Sequence, residues 1–204
     1  MPPEAQELFA LDEALRAEGE RVLGESGIGA IIEEAGYVPV GSQVMRTMTW
    51  RDLDFELPEE PHDWNAHWAI GSRLASTGWC VRLSCVNAYR ETPQDPGLYW
   101  GLRVADPKRS EPAPKGHPSV WKLDLWRIRP ADFEHNKRQC ERWLSLMTEQ
   151  ARANIIAIKQ ALCYEPEYRR TVLSVHIYEA VLEHGVQDLA AFRKWWEESV
   201  ERET

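Results

Sequence analysis

Three acidic residues occupy strand positions that a folded chain fills only for a reason. In TWRDLDFEL, residues 49–57, Asp52 and Asp54 flank a single leucine; in VWKLDLWRI, residues 120–128, Asp124 is the one acid in an apolar and basic run. Both runs alternate as strands do. Asp52, Asp54 and Glu56 therefore share one side, with Leu53, Phe55 and Leu57 on the other. Lys122, Asp124 and Trp126 likewise share a side opposite Trp121, Leu123 and Leu125. Neighbouring carboxylates repel, and an acid between leucines loses hydration, so both strands call for a cation. Carboxylate oxygens suit a hard divalent ion such as Mg²⁺. Nine residues separate Gly41-Ser42 from Asp52, and the pair lies between the short strand YVPVG (37–41) and a short helical run QVMRTMT. A turn there offers backbone N–H groups, a hydroxyl and the positive end of a helix, all partners for phosphate. A phosphate grip beside a cation site predicts phosphoryl or nucleotidyl transfer, with two metals about 4 Å apart clamping the attacking and leaving oxygens.

Placing these groups together takes a sheet braced by helices. Residues 4–24 carry Leu8, Leu11, Leu15 and Val22 at helical spacing. GIGAIIEEAG (27–36) forms a second helix that stops at Gly36. DWNAHWAIGSRLAST (63–77) is a third, with Asp63 as its N-cap. Strands are expected at 79–90, 98–106 and 120–128; ETPQDPG (91–97) joins the first two as a hairpin, and PKRSEPAPKGHPS (107–119) forms a mobile surface loop. After Arg129-Pro130 the pattern is helical throughout: an unbroken run over 131–163, a helix over 170–184 ending at Gly185, and a last one after Asp188. The fold class is therefore α+β, with a sheet-containing part over 1–129 and an all-helical part over 130–204.

Composition narrows the function. The 204 residues include 33 acidic against 24 Lys plus Arg, a formal net charge of -9. An acidic chain disfavours a polynucleotide partner, because phosphate backbones attract clustered cations. Ten tryptophans are scattered from Trp50 to Trp196, a distribution that fits core filling and ring packing. Cys80, Cys85, Cys140 and Cys163 show no zinc-like spacing; Cys80 and Cys85, five apart on one strand, are expected to face opposite ways, and all four to be free thiols. The first residues lack a basic-then-apolar leader, and no apolar run reaches membrane length, so the expected location is cytoplasmic, with no membrane partner.

Gly41-Ser42, nine residues, Asp52-Leu53-Asp54 and a later Leu123-Asp124-Leu125 resemble the nucleotidyltransferase superfamily of DNA polymerase beta type. The chain looks most like small bacterial members in which a compact catalytic domain precedes a helical bundle. The motifs cover residues 37–57 and 120–128, and the order of parts agrees along most of the chain. The resemblance implies a nucleotidyltransferase-like mixed or antiparallel sheet with flanking helices and a C-terminal helical bundle. It implies an enzyme that moves NMP from an NTP to an acceptor hydroxyl with a two-metal Mg²⁺ site. Gly41 and Ser42 would hold the triphosphate. Asp52 and Asp54 would bind both metals. Asp124 would bind the catalytic metal and act as, or beside, the general base. The chain departs from the family in two additional strands near 79–106, between the metal pair and the third acid.

Several further residues bear on the site. Lys122, on the face of Asp124, is placed to neutralise phosphate charge, and Arg46, Arg51 and Arg127 lie close in sequence. His62 and His67, five apart, do not share a helix face, so zinc is not expected, and all six histidines are given structural or solvent-facing roles. Tyr164, Tyr168, Arg169, Arg170, His176 and Tyr178 are assigned to helix packing rather than to a wall of the acceptor cleft. The acceptor is expected to be a small molecule or a protein side chain. A different class of function keeps the fold without the reaction: a nucleotide-binding or regulatory module, for example of toxin–antitoxin type. A glycosyltransferase-like reading of Asp-Leu-Asp leaves Gly41-Ser42 and Asp124 without work.

Overall fold

A computed structural model describes residues 3–59, 63–91, 97–108, 119–163, 165, 168 and 170–203. His62, His117, Tyr164, Arg169, residues 92–96 of the expected hairpin connection and residues 109–118 of the loop lie outside the described residues. Five strands make one sheet: β1 (Val38–Val40), β2 (Asp52–Pro58), β3 (Cys80–Asn87), β4 (Gly97–Val104) and β5 (Trp121–Ile128). Their order is β1-β2-β5-β4-β3; β2 and β5 run parallel and the other neighbours antiparallel. The two additional strands, β3 and β4, thus extend the sheet beyond β5 and leave β5 beside β2. Around the sheet stand α1 (Pro3–Ser26), α2 (Ile28–Glu34), α3 (Ser42–Met45), α4 (Trp64–Ala75) and α5 (Ala88–Glu91). They are followed by α6 (Pro130–Leu146), α7 (Glu149–Leu162), α8 (Ser174–His184) and α9 (Leu189–Glu203). The chain is α+β, with a mixed sheet, flanking helices and helices at its C-terminal end.

Strand alternation sorts the sheet into two faces. Leu53 and Phe55, Trp100 and Leu102, and Trp121, Leu123 and Leu125 are buried against Leu15 and Val22 of α1, Ile28 and Ile32 of α2, and Ile70 and Leu74 of α4. Each such side chain, fully buried, contributes about 1.5–3 kcal/mol, so this face anchors β2 and β5 rigidly. Helix α1 buries Ala5, Phe9, Asp12, Leu15, Gly19, Val22 and Ser26, a stripe at spacings of three and four. Leu8 and Leu11 flank that stripe rather than lie in it. Asp12 belongs to it because its carboxylate accepts the Met48 N–H at 2.8 Å and an Arg152 N–H at 2.8 Å.

The opposite face is covered by the helical end of the chain. Trp143, Ile155, Leu162, Ile177 and Phe192 from α6 to α9 share a core with Met45 of α3 and Trp50, just before β2. Tyr168 and Tyr178 are buried in that core, as a packing role requires, but Tyr178 also lines a cleft, and Arg170 is exposed rather than packed. Ring packing also accounts for Trp100 and Trp121, although Trp64 and Trp68 stack on each other at 6.4 Å on the exposed side of α4. Among the described residues no helix is long and apolar enough to cross a membrane.

The helix expected over 170–184 begins only at Ser174, and the helical run expected at QVMRTMT stops at Met45. Three further expectations fail, each for a local reason. The run over 131–163 breaks in two: Met147 takes an extended conformation, and the Thr148 hydroxyl accepts the Ala151 N–H at 3.1 Å to start α7 afresh. β3 stops at Asn87, where the chain turns into α5 instead of staying extended to residue 90. Cys80 and Cys85 do not face opposite ways. A register shift between Cys80 and Arg82 changes the strand's parity, and both pack against the same core as free thiols.

Gly71 shows how tightly α4 sits on the sheet. A Cβ there would meet Cζ2 of Trp100 at 2.3 Å, whereas one on Gly24 of α1 would meet nothing within 4 Å. Gly71→Ala is therefore expected to lower stability by about 1–3 kcal/mol, and Gly24→Ala to leave it unchanged or raise it by up to about 1 kcal/mol. Urea unfolding of the two variants checks this; equal midpoints would contradict the packing described.

Candidate active site

Parallel pairing of β2 with β5 sets the site. Its register puts Asp54 beside Asp124 and Asp52 beside Lys122. Adjacent strands lie about 4.8 Å apart, so the alternation that sends leucines into the core brings all three acids together on the other face. One carboxylate oxygen from each of Asp52, Asp54 and Asp124 lies within 4.8 Å of the other two. Asp52 is buried; Asp54 and Asp124 are half-buried.

The two outer acids have the same kinds of support. Lys122 Nζ donates to both oxygens of Asp52, at 3.1 and 3.2 Å, and to Oδ2 of Asp124. Trp50 Nε1 donates to Oδ2 of Asp52 at 3.1 Å. The Tyr99 hydroxyl donates to Oδ1 of Asp124 at 2.8 Å. Gly101 makes that last bond possible. It lies opposite Asp124 in the β4–β5 register, and a Cβ there would meet the Tyr99 hydroxyl at 2.2 Å. Burial, with the Asp124 charge adding to it, pushes the Tyr99 phenol above its ordinary pKa, so it stays a donor.

Asp54 is the acid under strain. It touches the cleft but is otherwise surrounded by protein; that desolvation first, and then the charge of Asp52, hold its pKa well above the usual carboxylate range. Lys122 and Lys159 pull the other way without cancelling the rise. Burial alone would lower the Lys122 pKa, but Asp52 and Asp124 outweigh it and raise the group. Gly41 approaches Asp54 so closely that a Cβ would lie 2.9 Å from Oδ2, and its φ of 68° favours glycine independently. Helix α3, which begins at Ser42, is a single four-residue turn. It has little of the helix dipole expected there, so any phosphate grip rests on the Ser42 hydroxyl and on backbone N–H groups.

A second layer was not apparent from the sequence. Lys159 of α7 is fully buried. Its Nζ donates to the Thr47 carbonyl at 2.8 Å and to the Tyr178 hydroxyl at 3.4 Å, and it lies 5.3 Å from the centre of the Trp50 ring. Tyr178 and Thr47 also share a hydrogen bond at 2.8 Å. A lysine among Ile155, Ile156, Ile158 and Leu162 was the available signal. Trp50, two residues before Asp52, was signalled by strand alternation. Of the arginines close in sequence, Arg51 pairs with Glu18 at 2.8 Å and Arg127 with Glu59 at 2.6 Å on the far side of their strands. His67 is buried and stacked on Trp100, a structural role. A cleft of about 1050 Å³ runs from Gly41 and Asp54 past Trp126 to Phe133, Asn136 and Tyr178.

The donor set fits a divalent cation: three oxygen ligands on adjacent strands, with an ammonium already drawn among them. The penalty of ionising Asp54 leads to a prediction. Its raised pKa makes the folded state favour the protonated acid, so stability is lost as pH rises from about 4, the unfolded value, through the higher folded value. Asp54→Asn should therefore raise the melting temperature of the metal-free protein at alkaline pH, with the gain vanishing near pH 4. A pH series of thermal melts in chelator measures this, and a loss of stability in the variant at high pH would contradict it.

No protein-family profile matches the chain, and no curated protein is significantly similar to it in sequence. A solved structure described as a cytoplasmic RNA terminal U-transferase is similar to it with a TM-score of 0.51 and 11% sequence identity. The match covers 90% of this chain and 55% of that one, so the chain spans about half of its neighbour's length. At that identity the similarity is one of fold: the chain has a nucleotidyltransferase-like fold.

Proposed function

We propose that the protein is a metal-dependent nucleotidyltransferase related to the small bacterial members of the DNA polymerase beta type. Residues 1–129 would form its catalytic domain and residues 130–204 a helical domain. The observation that carries this reading is the convergence of Asp52, Asp54 and Asp124 beside Gly41. The acceptor hydroxyl oxygen would attack the α-phosphorus of an NTP, forming a P–O bond as the α–β bond breaks and pyrophosphate leaves. Bound Mg²⁺ would supply charge neutralisation at the attacking and leaving oxygens. Asp52 and Asp54 would hold both ions, Asp54 gaining counter-charge beyond what Lys122 and Lys159 supply. Asp124 would hold the catalytic ion and accept the acceptor's proton or stand beside the group that does. Tyr99 keeps Asp124 oriented, and Trp50 does the same for Asp52. Gly41 and Ser42 would hold the triphosphate, and Lys122 would neutralise phosphate charge.

The acceptor is proposed to be a small molecule or a protein hydroxyl. The net charge of -9, with Glu56, Glu179 and Glu183 lining the cleft, disfavours a polynucleotide. The cytoplasm is the proposed location. One observation favours a silent nucleotide-binding or regulatory module instead: Lys122 already fills the acid cluster, as a structural cation would. The two readings part on turnover.

Calorimetry with ATP, GTP, CTP and UTP should show at least one triphosphate binding only with Mg²⁺. A mass-shift screen should then find an acceptor that gains the mass of an NMP. Asp52→Asn and Asp54→Asn should each cut turnover by at least about a hundredfold, the scale of losing one charged stabiliser, while remaining folded. Metal-independent binding, or wild-type turnover in both variants, would reject the enzyme.

A further inference from the structure

We propose that Lys122 is a tethered counterion: its ammonium bridges Asp52 and Asp124 in the metal-free protein, competes with an entering divalent cation for their oxygens, and is released as that ion binds. The inference deepens the nucleotidyltransferase reading and rests on it in one respect, that the three acids take a metal.

Position in the sheet makes Lys122 a bridge. It lies directly beside Asp52 across the β2–β5 pairing and two residues before Asp124 on the same face of β5. A four-carbon stem from that point delivers one ammonium to both acids, and Nζ contacts Oδ1 and Oδ2 of Asp52 and Oδ2 of Asp124. With Trp50 on Oδ2 of Asp52 and Tyr99 on Oδ1 of Asp124, each of the four outer oxygens already has a donor. A magnesium ion takes carboxylate oxygens at about 2.0–2.1 Å, so some of these bonds must give way. Trp50 and Tyr99 are neutral and can remain as supports behind the carboxylates. Lys122 is the charged donor, and a cation on the same oxygens repels it. Its side chain is 24% exposed, and its stem is flexible enough to swing into the cleft.

Two consequences separate this from a purely structural lysine. Removing the ammonium should weaken the metal-free fold, because three acids within 4.8 Å are left without their bridge. The same change should strengthen metal binding, because a competing cation is gone. A lysine that merely braces the sheet would lower both.

The test is a titration of the full chain with Mn²⁺ alone, read by electron paramagnetic resonance, and with Mg²⁺ alone by calorimetry, with no nucleotide present. Lys122→Met should bind either ion on the order of tenfold tighter than wild type, the effect of removing one charge a few ångströms away. Lys122→Arg, which keeps the charge, should not gain affinity. Metal-free Lys122→Met should melt lower than wild type, and saturating Mn²⁺ should raise its melting temperature by more. Lys122→Gln, which keeps a donor without charge, serves in the same titration if the Met variant does not fold. Wild-type binding with no gain in the neutral variants overturns this inference alone. Failure of wild type and neutral variants alike to bind either ion overturns it together with the metal-dependent reading.

Discussion

Everything at the site depends on one backbone pairing, the parallel ladder between β2 and β5. Its register alone decides that Asp54 stands beside Asp124 and Asp52 beside Lys122. A slip of β5 by one residue would send Leu123 and Leu125 to the cleft and Asp124 into the core. That slip is resisted by the buried face, where Leu53, Phe55, Leu123 and Leu125 close against three helices. The apolar side of the sheet therefore provides the energy that holds three mutually repelling carboxylates together on the polar side. Stability and site geometry are two faces of the same strands.

The helical end of the chain is tied to that ladder through the segment before β2. Lys159 reaches from α7 to the Thr47 carbonyl, Tyr178 from α8 to the Thr47 hydroxyl, and Trp50 packs between Lys159 and Tyr168 while holding Asp52. A buried ammonium is costly unless well partnered. Here it meets a carbonyl, a phenol and a ring face, and it stands close enough to ease the charge on Asp54. Any shift of α7 or α8 would thus be felt at Trp50, and through its indole N–H at the carboxylate of Asp52.

Strand alternation made the polar face of β2 and β5 legible in the sequence, because a period of two assigns each residue a side without reference to anything distant. Asp63 capping α4, Pro130 opening α6 and Gly185 closing α8 were legible for the same reason: the signal and its effect lie within a few residues. Thr148 was equally local but lay inside a long apolar-periodic run that masked it. The parity change after Cys80 was not legible, since an extra residue on one strand leaves the alternating pattern intact on either side of it. The Tyr99–Asp124 bond was hidden in a different way. It requires Gly101 to lie opposite Asp124, a fact of pairing between β4 and β5 and not of either strand alone. Lys159 and Asp12 announced themselves as polar residues within apolar stripes, but their partners lie 112 and 140 residues away, and no local pattern names them.

The charge at the site constrains how it can be filled. With Asp54 ionised, three carboxylates and one bridging ammonium carry a formal charge of minus two, and one divalent ion balances that. A second divalent ion would leave a buried excess of positive charge unless anionic oxygens arrived with it. A triphosphate brings such oxygens, and it also offers a displaced Lys122 somewhere to go. On charge, the first ion and the lysine together neutralise the three acids, so their rivalry is for the oxygens of Asp52 and Asp124, whereas the second ion and the nucleotide are partners. The neutral donors Trp50 and Tyr99 are indifferent to that exchange. They can hold Asp52 and Asp124 in place through every stage of it, which a charged support could not do.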